Sequence, residues 1–267
     1  MKKYFLLLAV LLCNVFLLAR EFWLQPDKFI YKRGETINIR FLTGENFEGE
    51  NWKGNNSRIE SLQFYFGGVR DRELSKALSE ENGDSIQLAM LDEGTAMVTC
   101  GSSNFFQELT PAKFNEYLRK NDLTEALEYR EQNNDTSDSG REYYQRSVKT
   151  ILQIGEKTDK TYKQETDLPL DIIPEDHPYV ITKDGNFKMK ILFKGEPLSK
   201  TKVRVWHRLD NKLSQTEYRT DEEGKFKFFV TASGRWMVTA VKIKRLQNDS
   251  KADWQSYWGS LTWGYEK

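Results

Sequence analysis

Five short runs near the end of the chain alternate apolar and polar residues at nearly even spacing: 187–193, 202–206, 216–220, 225–230 and 235–243. Turn residues separate them: Gly195-Glu196-Pro197, Asp210-Asn211, Asp221-Glu222-Glu223-Gly224 and Ser233-Gly234. A period of two sends one side chain inward and the next outward, as a half-buried strand requires. Short strands at this spacing, divided by turns, predict a β-sandwich, with 254–263 as its closing strand.

The first half carries the same signal. Segments 36–42 (TINIRFL) and 59–66 (IESLQFYF) alternate, and Gly67-Gly68 closes the second. Segments 85–90 and 95–99 flank Leu91-Asp92-Glu93-Gly94, which reads as a hairpin. A different period then intervenes. Thr110 and Pro111 form a helix start, followed by Phe114, Tyr117, Leu118, Leu123, Ala126 and Leu127 at helical spacings. A polar breaker covers 133–140. Tyr144, Val148, Ile151 and Leu152 then fit one side of a second helix, ended by Gly155. The expectation is a mainly β chain of two sandwich domains, 20–175 and 176–267, the first with a two-helix insert over about 110–155. The boundary falls near 174–178, where Pro and acidic residues interrupt the strands.

The chain begins with Lys2 and Lys3, an apolar run broken only by Asn14, and Ala19 before Arg20. Basic, apolar and small is the order of a secretory signal peptide, here 1–19. An uncleaved anchor is the alternative, because Leu17 is a poor residue three positions before the cut. Leu12 before Cys13 is a poor setting for lipidation. Removing the leader leaves Cys100 alone, so the fold stands without an internal disulfide. It also leaves no apolar run long enough to span a bilayer. The 40 basic and 40 acidic residues cancel, which argues against a nucleic-acid surface.

Three segments carry a family resemblance: "REFWLQP" after the leader, "REYYQRSVKTILQIG" at 141–155, and "GEPLSKTKVRVW" with "TDEEGKFKFFVTASGRWMVTAV" over 195–241. In order and spacing the chain resembles the bacterial "domain of unknown function 4198" family, once grouped with nickel-transport components. The resemblance implies an exported periplasmic or cell-envelope protein of a Gram-negative bacterium. It implies immunoglobulin-like or transthyretin-like sandwiches, a link to nickel or cobalt uptake with an envelope transport or outer-membrane partner, and no enzyme activity. Two positions depart from the family pattern. Relatives often begin the mature chain with His, whose ring and terminal amine suit such metals. Here the residue is Arg20, whose guanidinium has no free lone pair. His177-Pro178-Tyr179 stands where relatives tend to have Asn-Pro-Tyr.

Candidate metal ligands are few. Asp176 and His177, with Glu175 beside them, form one polar cluster, and His207 is the only other imidazole. Their spacing matches no zinc or calcium motif, and such a cluster also serves solvation. Trp23, Trp254, Tyr257, Trp258 and Trp263 are candidate binding rings, with core packing as the alternative. No nucleophile elbow, phosphate loop or helical His pair is present. The sequence therefore points to a non-enzymatic envelope binding or accessory protein, with a glycan- or partner-binding module using the C-terminal rings as the alternative. Protein recovered from the cell envelope should begin at Arg20. Intact mass checks this, and a mass retaining residues 1–18 refutes it.

Overall fold

The computed structural model describes residues 21–52, 56–78, 84–181 and 185–266. The leader, Cys13, Ala19 and Arg20 lie outside them. In chain order come β1 (Glu21–Pro26), β2 (Ile30–Tyr31), β3 (Thr36–Glu45), β4 (Glu48–Asn51), β5 (Ile59–Phe66), β6 (Val69–Glu73), β7 (Ser85–Ala89), β8 (Gly94–Ser102) and β9 (Phe105–Leu109). Helices α1 (Pro111–Lys120) and α2 (Thr124–Gln132) follow. The rest is β10 (Gly140–Ile154), β11 (Leu170–Pro174), β12 (Asn186–Phe193), β13 (Glu196–Pro197), β14 (Lys202–Leu209), β15 (Lys212–Arg219), β16 (Lys225–Phe229), β17 (Arg235–Arg245) and β18 (Trp254–Gly264).

Among the described residues these strands make three sheets. A ten-stranded sheet runs β15-β14-β17-β18-β10-β8-β5-β6, with β2 and β9 also on β10. A four-stranded sheet of β1, β3, β4 and β7 covers one face, and another of β11, β12, β13 and β16 covers the other. Strand alternation assigns the faces. On β10, Val148, Leu152 and Ile154 share a core with Phe22, Leu24 and Ile39. Ile151 instead joins Leu170, Ile172 and Met189. On β18, the Ser260 and Thr262 hydroxyls donate to the Phe22 and Leu24 carbonyls at 2.7 and 2.8 Å. Tyr257, Leu261 and Trp263 pack on the opposite side.

Several expectations are corrected here. Segment 141–154 is not a second helix but most of β10, the longest strand, and both helices lie within 111–132. A short apolar run does not distinguish helix from buried strand by period alone. Val148, Thr150, Ile151 and Ile154 are β-branched, and from Arg146 onward every residue of β10 is buried, so both faces need cover. Residues 91–94 do not close a hairpin: β7 pairs with β3, whereas β8 pairs with β5 and β10 in the central sheet. β7 alternates in burial, while β8 is buried throughout and takes an interior place. β18 does not close an edge either. It lies between β17 and, in parallel, β10. Trp23 is 1% exposed and meets Phe47 edge-on, as its core-packing reading requires.

The parallel β10–β18 pairing also bears on the division near 174–178. One core draws on residues 22–154, and the other gathers Tyr65, Met97 and Ile151 with residues 170–263. The central sheet runs through both. Among the described residues no helix is long and apolar enough to cross a membrane.

The helices sit on the face that also carries the first sheet. Phe114, Tyr117, Leu118, Leu123 and Ala126 pack on Val241, Ile243 and Trp254. Beneath them lies Glu142 of β10, with no exposed surface. It accepts from Gln107 at 2.5 Å and from the Ser256 hydroxyl. Burial nevertheless pushes its carboxyl from 4.5 up to about 7.

Two predictions follow from these contacts. Residues 176–267 alone lack β10 and β11, so this fragment should show no cooperative melt by circular dichroism, whereas 140–267 should. Between pH 4.5 and 7, folded Glu142 holds a proton that the unfolded chain has released. Its contribution to stability is therefore whole below 4.5 and is lost as pH rises through 7. Glu142→Gln should be ~2–3 kcal/mol more stable than the native chain at pH 8 and no more stable at pH 4, by denaturant unfolding.

Candidate functional site

The two imidazoles are engaged separately. His177 Nδ1 accepts the Tyr179 N–H at 3.1 Å, which places the ring proton on Nε2, 3.1 Å from the Thr95 hydroxyl. That hydroxyl donates to Gln153 Oε1 at 3.1 Å. The relay runs away from the imidazole, so His177 is not a base for Thr95. Burial lowers its pKa. Asp176 accepts the Lys188 N–H at 2.8 Å. His207 stacks on Trp236, ring centroids 3.9 Å apart, with Nε2 3.0 Å from the Ser233 carbonyl. Asp176, His177 and His207 thus do not form one ligand set. Among the described residues no three His, Cys, Asp or Glu side chains gather as a metal site. Cys100 is buried, and burial pushes its thiol up to about 12.

The rings singled out from the sequence are core elements. Trp23, Trp254, Tyr257 and Trp263 are buried. Trp263 stacks between Phe187 and Trp236, and Tyr257 meets Phe193 edge-on. Trp258 is half-buried and stacks on Tyr117. No two of them form an open platform.

The structure instead brings together charges that are distant in sequence. The end of α1 dictates the arrangement. Asp122 takes the left-handed conformation, φ 56°, where glycine is usual. The Leu123 N–H returns to Leu118 O at 2.9 Å and the Asp122 N–H to Arg119 O at 3.0 Å, closing a Schellman motif. Arg204 of β14 grips this turn through Asn121 Oδ1 at 2.8 Å and the Lys120 carbonyl. A cation there also meets the negative end of the helix dipole.

Between this turn and the strands lies a cleft of about 250 Å³. Its walls carry Lys200, Lys202, Arg219 and Lys242 against only Asp122 and Glu125. Arg219 pairs with Asp122, and their hydrogen bond holds that carboxyl below its usual range. Lys242 meets Glu125 at 3.2 Å, Lys202 meets Glu217 at 2.9 Å, and Lys200 meets Glu222 at 2.9 Å. Thr124, Ser199 and Thr201 add small polar side chains to the lining. None of these residues stood out in the sequence, because they come from four separate segments. One signal was present: Lys202 and Arg204 alternate along a predicted strand and therefore share a face.

With this geometry in place, the chain compares with known proteins as follows. No curated protein matches it. Solved structures similar to it include the three N-terminal domains of the bacteriophage RB49 highly immunogenic outer capsid protein, at 10% identity, covering 91% of this chain and 59% of that one, TM-score 0.21. This chain thus spans less than two thirds of the phage structure. A cytokine receptor complex matches at 11% identity, 90% and 97% coverage and TM-score 0.22. A marsupial T cell receptor matches at 8% identity, 90% and 73% coverage and TM-score 0.23. The family profile described as "Domain of unknown function (DUF4198)" matches residues 17–244, and the chain belongs to that family.

Proposed function

We propose that this protein is a non-enzymatic, exported accessory protein of the bacterial envelope, and that the cleft beside α2 takes an acidic ligand. The observation that carries this reading is the lining: four cations face two acids in a space large enough for a small polar molecule. The ion pairs across it reach solvent, with the Glu125, Glu217 and Glu222 side chains 87%, 46% and 74% exposed. Such pairs are worth little, so a ligand carboxylate or phosphate can replace them at small cost. Asp176, His177 and His207 are each committed to other contacts, which is why the reading rests on the cleft and not on a metal.

Citrate at low ionic strength should raise the melting temperature saturably, more than glucose at equal concentration. Lys200→Glu with Lys242→Glu should at least halve the gain without lowering the unliganded melting temperature by more than a few degrees. Equal gains from glucose and citrate would favour a neutral glycan. A citrate effect untouched by the double substitution would remove the ligand from this cleft.

A further inference from the structure

Arg208 of β14 and Arg235 of β17 stand directly opposite each other in the central sheet. Like charges in this position repel, and neighbouring strands normally supply an acid to relieve them. Here the row offers none: Leu213 lies opposite Arg208 on β15, and Gly264 lies opposite Arg235 on β18. Arg208 is buried and Arg235 half-buried. Arg208 is 8% exposed, and the Nε atoms of both are buried without a hydrogen-bond partner. Arg208 Nη2 donates to the Asn46 carbonyl at 3.0 Å and meets Glu48 at 2.9 Å. The Glu48 side chain is 72% exposed. The Arg235 guanidinium makes no hydrogen bond among the described residues. It lies over the Phe47 ring, 5.4 Å from the centroid. Its pKa is lowered by burial, with Arg208 and Arg40 also lowering it and Glu266 and Glu48 opposing.

The wall over this pair is built at a cost. Asn46 and Phe47 form the two-residue tip between β3 and β4, both at positive φ, 55° and 53°. Such turns favour Asn first and Gly second, and a bulky aromatic in the second place is strained. Phe47 is held there by burial among Trp23, Trp206 and Met237. The tip therefore presents the Asn46 carbonyl and an aromatic face to two cations that nothing in their row neutralises. A buried N–H without a partner is unfavourable, and each of the two Nε–H groups is one. An oxyanion set between the two forks would accept from both Nε–H groups and remove the repulsion.

We propose that Arg208 and Arg235, with exposed Arg40 at the rim, form an oxyanion-binding site, separate from the cleft beside α2, that takes a carboxylate or phosphate group. Thermal melting and calorimetry at low ionic strength test it, with inorganic phosphate and acetate as probes and chloride at matched ionic strength as control. At least one oxyanion should stabilise the chain saturably beyond chloride. Gain from phosphate alone assigns a phosphate group, and gain from acetate alone assigns a carboxylate. In a chain that also carries Lys200→Glu and Lys242→Glu, so that the cleft no longer contributes, Arg235→Gln should abolish the gain, and Arg235→Lys, which keeps the charge but loses the fork, should bind at least about tenfold more weakly. Should Arg235→Gln not fold, Arg235→Lys and Arg40→Gln decide, because a loss in either supports the site. Lys200→Glu with Lys242→Glu should leave this effect intact, which separates it from the cleft. No saturable gain over chloride, or a gain unchanged in the Arg235 and Arg40 variants, overturns the proposal.

Discussion

The Lys149 ammonium, 1% exposed, ends 2.5 Å from a carboxylate oxygen of Asp171. It joins β10 in the central sheet to β11 in the sheet above. The second carboxylate oxygen accepts the Thr166 N–H at 2.7 Å, which fixes the segment leading into β11. A buried pair of this kind adds little net stability over apolar residues of the same shape. Its weight is conditional, because removing either partner leaves a bare charge in the core. The two layers are thus bound to one relative position. Lys149 also lies level with Leu261 in the parallel pairing with β18, so one residue takes part in both the ion pair to β11 and the pairing with β18.

This constraint explains which parts of the fold could be read from the sequence. The C-terminal strands and their turns were legible because alternation and Gly or Asp turns are local signals. Asp210 at φ 51° and Gly224 and Gly234 at positive φ sit in the expected turns. The start of α1 at Pro111 was legible for the same reason. β10 was not. A strand covered on both faces loses the period of two, and in 146–154 the apolar residues Val148, Ile151, Leu152 and Ile154 stand among polar ones at spacings that a helix could also use. The parallel neighbour that resolves the ambiguity is β18, more than a hundred residues away.

The candidate site follows the same division. Aromatic and imidazole side chains are conspicuous in a sequence, yet Trp23, Trp254 and Trp263 fill cores and His207 lies flat on Trp236. Trp23, Trp52, Trp206, Trp236, Trp254 and Trp263 are all buried, so these rings serve as packing. The charged residues that form the cleft are individually unremarkable. Only the Schellman turn at Asp122 and the grip of Arg204 on Lys120 and Asn121 bring them together. Tertiary contacts of that kind leave no mark on local spacing.

Net charge is silent about this local order. The chain balances 40 cations against 40 anions, yet one face of β14 places Lys202, Arg204 and Arg208 in a row of about 20 Å. Between Arg204 and Arg208 stands Trp206, 4% exposed, packed with Trp23 and Phe47. The β3–β4 tip lies over that ring and parts the row into two cationic regions with different walls. At one end the cations pair with exposed acids that water screens. At the other, Arg208 and Arg235 face each other with their Nε atoms cut off from water. Electrostatic interaction strengthens as local polarity falls, so equal numbers of charges have unequal effects at the two ends.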